Sequence, residues 1–136
     1  MGTLRQGRAT PAMRRADAVP KVTGEFAYSS DLHAAGMLWG QTVRSPHAHA
    51  RIVGIDVSEA VGMPGVHAVL THEDVPGRKA YGLEFADQPV LASGRVRYFG
   101  EPVAIVAAEE PEQARRAAAV VRVEYERLPP VTDPEC

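Results

Sequence analysis

The sequence has little of what disulfide-stabilised, membrane-spanning or nucleic-acid-binding proteins depend on. It contains one cysteine in 136 residues, so no internal disulfide can form. Its longest apolar runs, such as PVAIVAA, are far too short to cross a bilayer. The formal net charge is −2, which provides no positive field for a phosphate backbone. We therefore expect neither nucleic acid nor a membrane among the partners.

The first segment, MGTLRQGRATPAMRRADAVP, is short of apolar residues as well. Basic residues gather in it, but no hydrophobic core follows them, so we expect no secretory signal and a cytoplasmic location. The glycine, threonine and proline between these residues predict a disordered tail over residues 1–15, followed by one domain over 16–134. Cys136 is the last residue, where a nucleophile would lack a positioned base. The basic residues are Arg5, Arg8, Arg14 and Arg15.

What the chain does contain is the pattern of an ordinary globular α+β domain, with 45% hydrophobic and 24% charged residues. AVPKVTGEFAYSSDL is expected to be extended, with a turn at Thr23-Gly24. EPVAIVAAE is the most apolar segment and is suited to a central strand covered on both faces. The other predicted strands are GMLWGQTVR, ARIVGIDVS, GVHAVLT, PVLA, VRYFG and RVEYERL.

One main helix is predicted at about 111–121, in PEQARRAAAVV. Pro111 suits the first helical position, and alanines recur at a spacing that forms one small-residue face. A shorter helix is expected in SEAVGMPGV with Ser58 as its N-cap, and a capped turn at Thr71 and Asp74. Residues 76–88 have no steady period and predict an irregular loop. Strands outweigh helix, which favours an α+β fold with a mixed sheet.

The segment RSPHAHARI raises the question of a metal site. In a strand His47 and His49 would point to the same side, and imidazole pairs can bind metals. A site would need a third ligand, and the spacing does not bring another histidine close. The alternative is a hairpin in which Pro46 ends one strand and the histidines are polar loop residues. The remaining histidines are His33, His67 and His72.

Carboxylates are the other candidates for chemistry. Glu109, Glu110 and Glu112 surround the start of the predicted helix, where acids compensate the helix dipole. Glu101, between a glycine and a proline, is expected to be held at the mouth of the apolar strand in a turn role. The chain has no G-x-G-x-x-G, no P-loop and no G-x-S-x-G. We therefore assign no catalytic, cofactor-binding or metal-binding residue.

Taken in order, five segments resemble one family. They are DAVPKVTGEFAYSSDL, GMLWGQTVRSPHAHARIVGIDVSEA, PGVHAVLTHEDVPG, PVLASGRVRYFGEPVAIVAAE and VVRVEYERLPPVTDP. Together they resemble the α/β-hammerhead domain that opens the molybdenum-binding subunit of the xanthine dehydrogenase and aldehyde oxidase family. The resemblance covers residues 13–134.

The resemblance implies an oxidoreductase that hydroxylates purines, aldehydes or N-heterocycles with oxygen from water. It implies molybdopterin in the full subunit, with iron–sulfur clusters and FAD in the complete enzyme, and none of these bound by this chain. The remaining domains of the subunit and the iron–sulfur and flavin parts would be the partners. The substrate stays open.

Two hypotheses for function follow. In the first, the chain is a non-catalytic structural domain of a molybdenum hydroxylase, inactive alone. In the second, it is a free-standing hammerhead interaction module without enzymatic activity. Several hundred codons after Cys136 would favour the first, and a stop codon the second. We also expect an exposed apolar patch near GMLWG or PGRKAYGLEFADQ, which would drive self-association of the fragment.

Overall fold

The computed structural model describes residues 15–133 and divides the chain into two compact units, with the boundary in the sequence between Ala35 and Gly36. Each unit is described by itself. The predicted tail lies outside the described residues except for Arg15, and Cys136 lies outside them as well.

The first unit contains a short helix, α1 (Ala18–Thr23), and a 3₁₀ turn, Ser29–Asp31. The prediction of extended chain is therefore wrong at α1. Pro20 lies in the first turn of this helix, where a missing N–H leaves no hydrogen bond unmade. The expected turn is confirmed, because α1 ends at Thr23 and the N–H of Gly24 donates to the Pro20 carbonyl.

The second unit consists of eight strands and two helices within the described residues, and their order matches an α+β fold. The strands are β1 (Trp39–Arg44), β2 (Ala50–Asp56), β3 (Val66–Leu70), β4 (Ala80–Tyr81), β5 (Gln88–Pro89), β6 (Arg95–Val96), β7 (Pro102–Ala108) and β8 (Arg122–Arg127). The helices are α2 (Ser58–Val61) and α3 (Pro111–Val120).

The strands form two three-stranded sheets and one small ribbon. The first sheet has the order β1-β7-β3, the second has the order β6-β2-β8, and β4 pairs with β5. Each of these pairings is antiparallel. The predicted α+β class is confirmed, but the strands are divided between separate antiparallel sheets instead of forming one mixed sheet.

Strand β7 is covered on both faces, as its apolar sequence predicts. Val106 packs with Ala60 of α2 and Ala117 of α3 in one buried cluster. Val103 points to the opposite face and belongs to a second cluster with Ala50 and Val96 from the other sheet. This strand therefore connects the two cores of the unit.

Helix α3 begins where the sequence predicts and ends one residue earlier, at Val120. The carboxylate of Glu110 and the side chain of Gln113 form a reciprocal capping box at its N-terminus. Ala114 and Ala117 are fully buried, so the small-residue face lies close against the sheet.

The predicted hairpin between β1 and β2 is wrong, because the two strands lie in different sheets. Strand β1 pairs with β7 along its length, up to Arg44 opposite Pro102. Pro46 then has no N–H to continue a ladder, and residues 46–49 form neither a strand nor a helix. At Ala50 the chain enters the second sheet, between β6 and β8.

Three further local predictions are corrected. Ser58 is the first residue of α2, not its N-cap; its N–H and hydroxyl both donate to the Asp56 carboxylate, at 3.0 and 2.6 Å. The register of β3 shifts between Val66 and Ala68, which breaks the simple alternation expected there.

The third correction concerns the loop over residues 76–88. It contains β4, which pairs with β5. The strands predicted in PVLA and VRYFG are wrong over most of their length, because only Pro89 and Val96 of these segments lie in β5 and β6. The capped turn at Thr71 is confirmed, since the Asp74 carboxylate accepts hydrogen bonds from its N–H and its hydroxyl.

Candidate functional site

Ser45, where the chain leaves β1 of the first sheet on its way to β2 of the second, is hydrogen-bonded to the turn that precedes β7. The N–H of Ser45 donates to the Glu101 carbonyl at 3.0 Å, and the N–H of Gly100 donates to the Ser45 carbonyl at 2.9 Å. The guanidinium of Arg44 donates to the Gly100 carbonyl at 2.9 Å. Ser45 is buried, so two segments far apart in sequence are joined here by paired backbone bonds.

Glu101 holds this turn from inside. Its side chain is 2% exposed, and its carboxylate accepts hydrogen bonds from the backbone N–H of Arg97 and, at 3.1 Å, from the Arg97 guanidinium. The N–H of Glu101 itself donates to the Tyr98 carbonyl at 3.2 Å. The turn role expected for Glu101 agrees with this geometry. We call residues 97–101 the aromatic turn, after the two residues at its tip.

Those two residues face outward. Tyr98 is 55% exposed and Phe99 is 73% exposed, although the backbone on both sides of them is hydrogen-bonded. Both line an open pocket of about 440 Å³ that also contains Arg95, Arg97 and Val131. Large aromatic side chains on a constrained backbone are unusual on a surface in contact only with water.

Arginines form a cluster beside the aromatic turn. Arg51 on β2 lies opposite Arg95 on β6, and Arg97 follows two residues later, so the pairing brings all three together. Arg51 forms an ion pair with Glu126 at 3.2 Å. The Arg95 side chain has no hydrogen bond or ion pair with any residue in the described range 15–133. We call Arg51, Arg95 and Arg97 the arginine face.

The two histidines of RSPHAHARI are held by separate partners. The His47 ring packs edge-on against Tyr125, with 5.0 Å between ring centroids. The Nδ1–H of His49 donates to the Pro129 carbonyl at 2.9 Å. Burial raises the pKa of the Tyr125 phenol, and a hydrogen bond with Ser45 opposes the rise.

The structure brings no third metal ligand to this pair. Between residues 15 and 133, no three His, Cys, Asp or Glu side chains are grouped so that they could hold a metal ion. Residues 46–49, which carry the pair, do not form a strand, so the alternation on which the metal hypothesis depended does not apply.

The acidic cluster near α3 has local partners. Glu112 is bonded to Arg115 and Arg116, and these bonds hold the pKa of its carboxyl below the usual range. Glu110 is part of the capping box, and Glu109 lies 3.2 Å from Nε2 of His67. Glu110 and Glu112 thus lie at the start of the helix, as the sequence predicts, whereas Glu109 contacts a residue of β3.

A second pocket, of about 610 Å³, lies between β2 and the turn at residues 71–74. His72 lines it, and the Nδ1 atom of this residue is buried without a hydrogen-bond partner. Its remaining lining is a mixture of apolar and polar side chains, including Ile55 and Asp74.

Sequence reasoning missed the arginine face and the aromatic turn. The signal was present in VRYFGE, where an arginine and two aromatics precede a glycine. That signal could be interpreted only with the β2–β6 register, which places Arg95 opposite Arg51. The expected exposed apolar residues near GMLWG and in residues 76–88 are found: Met37, Leu38, Tyr81, Leu83 and Phe85.

Within residues 15–133, no helix combines the length and the hydropathy that a membrane span needs.

Known proteins are similar in sequence to this chain over most of its length. The profile of the family described as "Aldehyde oxidase and xanthine dehydrogenase, a/b hammerhead domain" matches residues 23–129. The chain is 46% identical over 125 residues to a probable xanthine dehydrogenase subunit of Bacillus subtilis. That alignment covers 92% of this chain and 17% of the Bacillus protein.

Solved structures show the same relationship. The aldehyde oxidoreductase from Desulfovibrio gigas is similar with a TM-score of 0.79 and 41% identity, over 85% of this chain and 14% of that one. The reconstituted CO dehydrogenase from Oligotropha carboxidovorans has a TM-score of 0.82 and 39% identity, over 90% and 16%. The chain thus spans less than a fifth of each of these three proteins.

Proposed function

We propose that this chain, which belongs to the α/β-hammerhead family of aldehyde oxidases and xanthine dehydrogenases, is the structural domain of a molybdenum hydroxylase. The complete enzyme hydroxylates purines, aldehydes or N-heterocycles with oxygen from water. The hammerhead domain occupies residues 16–134, is inactive by itself and packs against the domains that bind the cofactors. The assembled enzyme is cytoplasmic.

One observation carries this proposal. The chain aligns over most of its length with proteins that are several times longer, one of them a probable xanthine dehydrogenase subunit. Its fold is shared with solved oxidoreductases at about 40% identity. An activity that belongs to such proteins is therefore expected of the whole polypeptide and not of this part.

The residues of this chain do not fit an iron–sulfur cluster of the proposed enzyme. An iron–sulfur cluster is held by several thiolates, and the sequence has one cysteine. The described residues provide no ligand group for a metal ion. We therefore assign the iron–sulfur clusters to other parts of the enzyme, and we propose that molybdopterin and FAD are also bound there, where the cofactors perform the oxidation. This chain contributes surfaces that hold those parts in place.

The test is an assay of the full polypeptide that contains this chain. Purines, aldehydes and N-heterocycles are offered with a dye as electron acceptor, and molybdenum is measured in the same preparation. Oxidation of at least one class, with label from ¹⁸O-water in the product, is the expected result. A preparation that lacks molybdenum and oxidises none of them would favour a free-standing interaction module instead.

A further inference from the structure

We propose that the aromatic turn and the arginine face form one docking surface, and that its occupant is the molybdenum-binding remainder of the enzyme. This inference rests on the proposed function and adds to it the residues that make the contact. The occupant is expected to present an apolar pocket for Phe99 and Tyr98, with carboxylates at its rim for Arg95.

The first argument is that the turn is preorganised. Its interior is held by the buried Glu101 carboxylate, which accepts hydrogen bonds from both the backbone N–H and the guanidinium of Arg97. Its far end is held by backbone hydrogen bonds to Ser45. Phe99 is nevertheless 73% exposed. A rigid aromatic anchor loses little conformational entropy on binding, which is the property of residues that dominate protein interfaces.

The second argument is charge. Arg95 has no charged partner in the described part of the chain, although the protein as a whole has a net charge of −2. Arg97 uses one nitrogen to bind Glu101, and its side chain is still 43% exposed. Arginines at the edge of an aromatic patch match a partner rim that carries carboxylates.

The third argument is the position of residues 130–132. Pro130, Val131 and Thr132 line the same pocket as Phe99 and Arg97. In the relatives the matched segment is a small part of a longer polypeptide. In the proposed enzyme, a domain C-terminal to this chain would be tethered through residues close to this pocket, which raises its effective concentration there.

The other exposed apolar residues make a weaker anchor. Leu83 and Phe85 are 106% and 76% exposed, but they lie between β4 and β5, which pair through two residues each. Residues 81–88 are all exposed, so no buried side chain holds Leu83 and Phe85 in place as Glu101 holds the aromatic turn. Phe85 therefore serves as the matched control for Phe99.

The experiment is hydroxyl-radical footprinting of the full polypeptide, in which the oxidation rate of each aromatic is compared between native and urea-unfolded protein. A side chain as exposed as Phe99 would keep most of its reactivity if nothing covered it. The expected result is that folding slows oxidation of Phe99 by about tenfold or more, because the centre of an interface excludes water.

Variants then test the two parts of the surface. In Phe99→Ser we expect Tyr98 to regain the reactivity of an uncovered side chain, whereas Phe85→Ser leaves Tyr98 protected. In Arg95→Glu we expect Phe99 to lose its protection, whereas Arg115→Glu, on the exposed side of α3, leaves it unchanged. Equal effects in a variant and its control would overturn the assignment of this surface.

The remaining outcomes separate this inference from the proposed function. A preparation that contains molybdenum and oxidises substrate, but in which Phe99 reacts at nearly its unfolded rate, overturns the docking surface alone. Protection that disappears on dilution identifies a second copy as the occupant and overturns the assignment to the remainder of the enzyme. Protection that persists on dilution in the loaded, active protein supports it.

Discussion

The Nη1 atom of Arg97 lies 3.1 Å from the Oε1 atom of Glu101, and the two side chains of this ion pair differ greatly in their exposure to solvent. The carboxylate is 2% exposed and the guanidinium side chain is 43% exposed. Because the buried partner also accepts the backbone N–H of Arg97, the pair fastens the aromatic turn to the start of β7. It is thus a structural element of the surface we propose for docking.

Removing the buried carboxylate of Glu101 should therefore lower the stability of the folded protein. Glu101→Ala leaves the Arg97 N–H without its acceptor and creates a cavity, which is expected to lower the free energy of unfolding by about 2–4 kcal/mol. Glu101→Gln retains an acceptor and should cost less. Urea unfolding monitored by circular dichroism measures both. Glu73→Gln, the same change at an exposed site, should leave the midpoint unchanged, and an equal shift there would contradict the role of Glu101.

A side chain at Gly65 is expected to displace the side chain that caps α3. Its φ is +78°, and a Cβ atom would overlap the Gln113 side-chain amide, which caps α3. Gly94 has a similar φ of +72° but open space around it. Gly65→Ala should therefore cost about 1 kcal/mol more than Gly94→Ala, because it adds the loss of a helix cap to the backbone strain.

Thermal unfolding of the two alanine variants compares these costs. The double variant Gly65→Ala/Gln113→Ala provides the control, since the overlap is absent once the amide is removed. If the two substitutions are additive, the clash is not the cause.

The alanine face of α3 should resist enlargement. Ala117 is fully buried against the first sheet, so Ala117→Leu is expected to lower the free energy of unfolding by about 1–3 kcal/mol through overpacking. Ala119→Leu makes the same change on the exposed side of the helix and should have little effect. Guanidinium unfolding of both variants is the measurement, and matching midpoints would show that α3 does not lie close to β7.

Asp56 should contribute to the loss of stability in acid. Hydrogen bonds from the side chain and the backbone N–H of Ser58 hold the pKa of its carboxyl below the usual range. Because the folded pKa lies below the unfolded one, the contribution is complete above the unfolded value of about 3.9 and is lost as pH falls through the lower folded value.

An NMR titration of the Asp56 carboxyl carbon measures this directly. The expected titration midpoint lies below that of an aspartate in the unfolded chain. In Ser58→Ala, which removes the hydroxyl donor, the midpoint should move upward while that of Asp74 stays in place. A midpoint for Asp56 at or above the unfolded value would contradict the hydrogen bonding described at the start of α2.

Elements with local signals are predicted well. The sequence locates helix α3 to within one residue because its proline, its acids and its alanine spacing all belong to one short segment. Strand β7 is expected to be central because seven consecutive weakly polar or apolar residues are stable only when both faces are covered. The turn at Thr71 and Asp74 needs only residues three apart, and it is confirmed.

The hairpin at RSPHAHARI fails for the opposite reason. Two strands separated by a short loop can pair with each other or with distant strands, and the loop alone does not decide between these partners. Here β1 pairs with β7, and β2 pairs with β6 and β8. The histidine pair therefore lacks the geometry of a strand, and each ring contacts its own neighbour.

The sequence by itself determined the α+β class, the main helix, the central strand and the family, because each depends on local patterns or on segments in a characteristic order. The division into two sheets, the burial of Glu101 and the meeting of Arg51 with Arg95 were decided only by the tertiary structure. Each of those features needs residues that are far apart along the chain, and long-range pairing is chosen by how the whole core is buried, not by any one segment.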